Sequence, residues 1–145
     1  TLILTRNDNK KSTDTPGVLA ENDQKADFAY SLPKGSSEGL DGAVKFDAQR
    51  KVVNYTDSIG GVAITISQQP LPEAFKQDTD AKVKKMAADF SATKTIATAN
   101  PTAYVGTSAK GPQTVIFSKK DLLVFIQSTK EIDDHDWAEY ITNLQ

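Results

Sequence analysis

The segment Pro112 to Ser128, P-Q-T-V-I-F-S-K-K-D-L-L-V-F-I-Q-S, holds the two densest apolar runs of the chain. Val115, Ile116 and Phe117 make one arm and Leu122 to Ile126 the other, joined by the polar Lys119-Lys120-Asp121. So short a connection forces the arms into an antiparallel hairpin. A strand with one wet face alternates apolar and polar residues, and these arms do not alternate. The pattern therefore predicts cover on both faces, supplied by helices.

Working outward, the last residues carry the clearest helix signature. Asp133 stands as N-cap with Asp136 three residues on, Ile132 and Trp137 occupy staple positions, and Trp137, Tyr140, Ile141 and Leu144 form the apolar stripe. This helix is expected to dock Trp137 onto the sheet. Upstream of the hairpin, strands are expected over Thr93 to Thr98 around Ile96 and over Thr102 to Thr107 around Tyr104 and Val105, separated by a turn at Asn100-Pro101. A loop at Ser108 to Gly111 follows.

A second helix is expected earlier. Pro70 and Pro72 close a strand segment, Pro72 suits a first helical turn, and Phe75 opens an apolar stripe continued by Val83, Met86, Ala87 and Phe90. Asp78, Thr79 and Asp80 are the candidate caps. Before it, Val44 and Phe46 alternate, a turn at Asp47 to Arg50 leads to Val53 and Tyr55, and a turn at Asp57 to Gly61 leads to Val62, Ile64 and Ile66, which together predict a three-stranded meander. Phe28 and Tyr30 predict one further strand, ended by Leu32-Pro33-Lys34-Gly35, with a loop over Ser36 to Gly42.

These elements give an α+β domain over 26–145, with a largely antiparallel sheet of about six to eight strands and two main helices. The expected architecture is an α/β/α sandwich; a two-layer sheet with both helices on one face is the alternative. Residues 1–25 read differently. Thr1 to Thr5 form a short apolar stub that reads equally as the outer end of a transmembrane helix or as an edge strand, and Arg6 to Lys25 have the polar composition of a flexible linker. Stub, linker and domain suggest a membrane anchor through a transmembrane helix ahead of Thr1.

Composition narrows the function. Seventeen basic and nineteen acidic side chains give a net charge of −2 with no basic stripe, which argues against nucleic acid as a partner. Lys82, Lys84 and Lys85 read as the solvated face of the first helix. The absence of cysteine excludes disulfides, thiolate metal sites and cysteine nucleophiles.

Several short motifs occur in contexts that do not support their chemistry. Gly35-Ser36-Ser37-Glu38-Gly39 has the letters of a nucleophile elbow, but Pro33 precedes it, no helix pattern follows, and the sole histidine is His135. Ser91-Ala92-Thr93-Lys94 lacks the partner motifs of its enzyme class, and Gly106 to Gly111 puts Pro112 where a phosphate loop needs lysine. Asp133, Asp134, His135 and Asp136 could ligate a metal, yet carboxylates in a first helical turn are explained by capping and the helix dipole. Asn54-Tyr55-Thr56 is a glycosylation sequon inside an expected strand. Catalytic, cofactor and metal residues are accordingly expected to be none, and no cofactor is expected.

Leu32-Pro33-x-Gly35, Val53-Asn54-Tyr55-Thr56-Asp57, Gly60-Gly61 and Ile64-Thr65-Ile66-Ser67-Gln68 resemble successive segments of a bacterial extracytoplasmic domain family of unknown function. Those domains follow a single transmembrane helix in sporulation-type and anti-sigma-like membrane proteins. Gly106, the two hairpin strands and a closing helix ending in Asn143-Leu144 are similar to that family's ordering, whereas the helical segment Pro70 to Phe90 departs from it. The order is also similar to the PsbP and Mog-one type of α/β/α sandwich. The resemblance, the order of stub, linker and domain, and the lack of a reactive constellation together lead to the expectation of a non-enzymatic, extracytoplasmic domain anchored to the cell membrane, expected to be monomeric. It would bind a protein partner or cell-envelope component, or assist assembly at the cell surface. A soluble accessory subunit of the PsbP or Mog-one kind is the alternative, and a small serine hydrolase using Ser37 and His135 comes last.

Overall fold

The computed structural model describes residues 26, 28–33, 44–97, 99 and 101–144; the expected stub, linker and Ser36 to Gly42 loop lie outside them. Seven strands, β1 (Lys45–Asp47), β2 (Val52–Ile59), β3 (Val62–Pro70), β4 (Lys94–Thr95), β5 (Ala103–Thr107), β6 (Gln113–Lys119) and β7 (Leu122–Ser128), form one sheet. Its order is β1-β2-β3-β7-β6-β5-β4, and every neighbouring pair is antiparallel. A 3-10 turn (Glu73–Phe75) and helix α1 (Thr79–Asp89) link β3 to β4, and helix α2 (Asp134–Thr142) follows β7. The chain is the expected α+β fold with a sheet and two helices. No helix among the described residues is long and apolar enough to cross a membrane.

The β6–β7 hairpin forms where the sequence indicates, with Lys119 inside β6 and paired to Leu122, so that Lys120-Asp121 alone make the turn. Both have positive φ, 54° and 61°, as the two-residue turn that matches strand twist requires. Gly60 and Gly61 (φ 55° and 83°) close β2–β3 in the same way, so β2 runs to Ile59 and the expected turn from Asp57 begins later than its polar residues suggest. At the β1–β2 turn the Asp47 Oδ1 accepts the Gln49 and Arg50 N–H groups at 3.0 and 3.1 Å.

The lack of alternation in β6 and β7 has the expected cause. Val115, Phe117, Leu122, Val124 and Ile126 join Trp137, Ile141 and Leu144 in one core cluster. Ile116 and Leu123 face the other way and pack with Val83, Ala87 and Leu71. Helices thus cover opposite faces, but α1 covers only the β5–β7 half. Over β1–β3 no helix among the described residues lies on the α1-side face, and Thr56, Ser58, Ala63 and Thr65 are exposed there.

Four local expectations need correction. Phe28 to Leu32 forms no ladder strand among the described residues; next to it, Pro33 makes an isolated bridge to Leu144. The ladder role falls to a side chain. Gln68 Oε1 accepts the Ser31 N–H at 2.7 Å, and Gln68 Nε2 donates to the Ser31 carbonyl at 2.7 Å, as a neighbouring strand would. The strand around Ile96 shrinks to Lys94–Thr95, although Ile96 is buried as expected. Phe90 leaves the core stripe: α1 stops at Asp89, and Phe90 is 54% exposed. The proposed N-caps also work otherwise, since neither Asp78 nor Asp133 makes a capping side-chain hydrogen bond, while Thr79 Oγ1 donates back to the Phe75 carbonyl at 2.9 Å.

Candidate functional site: an uncharged groove at the end of α1

Helix α1 ends in a Schellman motif. Ser91 N–H donates to the Ala88 carbonyl at 2.9 Å and Ala92 N–H to the Ala87 carbonyl at 2.8 Å, with Ser91 at φ 62° where glycine is usual. This turn lies directly against β5, because Gly106 has no side chain; a Cβ there would collide with the Ser91 carbonyl. Ending the helix here places Phe90 outside the core, with its ring edge-on to Phe125 at a centroid distance of 5.6 Å.

Beside Phe90 opens a groove of about 570 Å³. Ser91, Ser108, Thr114 and Gln127 contribute its polar wall, Phe90 its apolar wall, and no charged side chain lines it. Strand register extends it. Thr56 pairs with Thr65, Thr65 with Gln127, Gln127 with Thr114 and Thr114 with Gly106, so one row of hydroxyl and amide groups crosses five strands from β2 into the groove. At the usual strand separation this row is roughly 19 Å long. The adjacent row, Asn54, Ser67, Phe125, Ile116 and Tyr104, is also uncharged, with Ser67 Oγ donating to Asn54 Oδ1 at 2.6 Å. None of the residues that β2, β3, β7, β6 and β5 present on this face carries a charge, in a chain that is 25% charged.

The opposite face is occupied by structural hydrogen bonds. Gln113 Oε1 accepts the Trp137 indole N–H at 2.8 Å and the Ile132 amide at 2.7 Å, while Lys119 Nζ donates to the Ile141 and Thr142 carbonyls at 2.7 and 3.2 Å, satisfying the end of α2. Burial pulls the Lys119 ammonium below its ordinary pKa. Tyr55 donates to the Ser31 carbonyl at 2.8 Å and Tyr140 to Asp57 Oδ2 at 2.9 Å. Burial, with the charge of Asp57 nearby, raises both phenols above the usual tyrosine range.

The residues singled out from sequence scatter. Gly35 to Gly39, with Ser37, lie outside the described residues. Ser91 forms the αL turn described above and is exposed, and Lys94 heads the short β4. Asn54 and Thr56 of the sequon sit on the uncharged face while Tyr55 is buried behind them. Of the acidic run at the start of α2, Asp134 Oδ2 accepts the Ala97 N–H at 3.3 Å. His135 and Asp136 come together with Glu139, one turn on, rather than with Asp133 and Asp134; their ligating atoms lie within 4.8 Å of one another. An imidazole and two carboxylates are a usable donor set for a divalent cation, but His135 and Glu139 are exposed on the helix surface.

Sequence reading missed the groove, since Phe90, Gly106, Thr114 and Gln127 come from four separate segments and share no local motif. A scan of family models, a search of curated proteins and a search of solved structures each find no match to this chain, so the site rests on its own geometry.

Proposed function

We propose that this chain is a non-enzymatic, membrane-anchored extracytoplasmic domain that binds a component of the cell envelope. We further propose that it does so through the uncharged groove and the adjoining row of β2–β7. The observation that carries this reading is the combination of a half-exposed aromatic ring and an extended charge-free polar surface at the groove beside it. Surfaces that need no partner keep their solubility with mixed charge, and this one lacks it. Nucleic acid would require a basic face, and β2, β3, β7, β6 and β5 present no Lys or Arg on this one. The groove lining offers no nucleophile with an adjacent base, which supports binding without turnover. Extracytoplasmic placement and the anchor rest on the sequence resemblance and on the apolar Leu2-Ile3-Leu4.

The test is co-sedimentation of the full chain with isolated bacterial envelopes. The wild type is expected to pellet, Phe90→Ala and Thr65→Lys to remain in solution, and His135→Ala to behave as wild type. Equal pelleting by the groove variants, or none by the wild type, overturns the reading. A coding sequence that lacks a stretch of about twenty apolar residues ahead of Thr1 would remove the anchor.

A further inference from the structure

We propose that the groove and its row take an extended, uncharged glycan, a chain of several pyranose rings lying across the strands. This deepens the binding reading above and rests on it. Each class of extended ligand demands something different of a surface. Anionic polymers and lipid headgroups need Lys or Arg, which the face lacks from β2 to β5. An extended peptide recognised by strand addition needs an open sheet edge, whereas β7 and β6 lie inside the sheet and offer only side chains.

What the face does offer matches a sugar chain. Thr56, Thr65 and Thr114 each present a hydroxyl that donates and accepts, and Gln127 presents an amide that does both, which suits a ligand whose own groups are hydroxyls. The four stand in one line at strand spacing, so a ligand with a regular repeat meets similar partners along its length. Phe90 flanks the line beside Gln127 and Thr114 with an exposed ring, packed edge-on with Phe125 of the adjacent row, on which the C–H face of a pyranose can rest. The rows around the groove hold no pair of carboxylates of the kind that cleaves glycosidic bonds, so the chain is held and not cut.

The experiment is amide chemical-shift mapping of the full chain titrated with neutral hexasaccharides of glucose and of N-acetylglucosamine. Shifts are expected at Thr65, Thr114, Gln127 and Phe90, with affinity unchanged by added salt. A roughly tenfold loss is expected in Phe90→Ala and in Thr65→Lys, both of which alter exposed positions and keep the wild-type unfolding midpoint. No shifts with either sugar, or shifts confined to other surfaces, overturn the glycan proposal. Envelope pelleting separates the two readings. If pelleting depends on Phe90 but is abolished by protease treatment of the envelopes and not by glycosidases, the binding domain stands and its ligand is a protein. If pelleting itself fails, both readings fall.

Discussion

Gln113 Oε1 lies 2.8 Å from the Trp137 indole nitrogen and 2.7 Å from the Ile132 amide nitrogen, so one amide oxygen of β6 fixes both the entry to α2 and its largest side chain. Replacing it with Leu strands two buried donors. Gln113→Leu is expected to lose about 2–4 kcal/mol, close to the roughly 3–5 kcal/mol of Trp137→Ala, although it removes no core volume. Urea unfolding measures both. A Gln113→Leu variant as stable as wild type would mean that packing alone holds α2.

Among the described residues the sandwich is complete over β5–β7 and open over β1–β3, and aspartate substitution reads out that difference. Leu123 and Val124 are each fully buried, on opposite faces. Leu123→Asp and Val124→Asp are both expected to prevent folding or to lose more than about 4 kcal/mol. Thr65→Asp, on the open half, is expected to stay within about 0.5 kcal/mol. A stable Asp at 123 or 124 would mean that one helix does not cover its face.

Where α1 meets β5, opposite substitutions should have opposite signs. Gly106→Ala pushes a methyl into the Ser91 carbonyl and is expected to destabilise by about 1–3 kcal/mol. Ser91→Gly relieves a positive φ and is expected to raise stability by about 0.5–1 kcal/mol. Thermal unfolding of the two variants decides; a neutral Gly106→Ala would show that the turn can move away.

Tyr55 and Tyr140 have pKa values raised above the ordinary 10.0, mainly by burial. The folded state therefore favours the protonated phenols. Their contribution is fully present below pH 10 and declines as the pH climbs above it, because only the unfolded chain then releases these protons readily. Denaturant titrations above pH 10 are expected to show a steeper loss in wild type than in Tyr55→Phe or Tyr140→Phe. Parallel curves would mean that both phenols ionise freely in the folded protein.

The hairpin of β6 and β7, the meander and the closing helix were legible because apolar runs and the Ile132–Trp137 staple carry their information locally. The buried amides were not. An isolated Gln in a strand suggests solvent, yet Gln68 continues the inward series Ile64, Ile66, and Gln113 the series Val115, Phe117, so the two-residue period does point inward at both. Phe90 misleads for a different reason: its spacing fits the stripe of α1, but the helix reverses at Ser91, which gives no glycine signal. The groove was illegible altogether, since only the β3–β7 and β6–β7 registers bring Thr65, Gln127 and Thr114 into line.

The order β1-β2-β3-β7-β6-β5-β4 joins two meanders through one seam, where Ile66 pairs with Ile126 and Gln68 with Val124. Each side of the seam contains a tight hairpin that closes within about 1–10 μs in isolation, while the seam must bring together distant parts of the chain. Assembly of the sheet is thus expected to be a meeting of two early-formed halves, with the matching of β3 to β7 as its slow step. Kinetically, substitutions along that seam should accelerate unfolding with little effect on hairpin closure, and substitutions in the Gly60-Gly61 or Lys120-Asp121 turns should slow folding. Chevron plots in which turn variants changed only the unfolding limb would reverse that order of events.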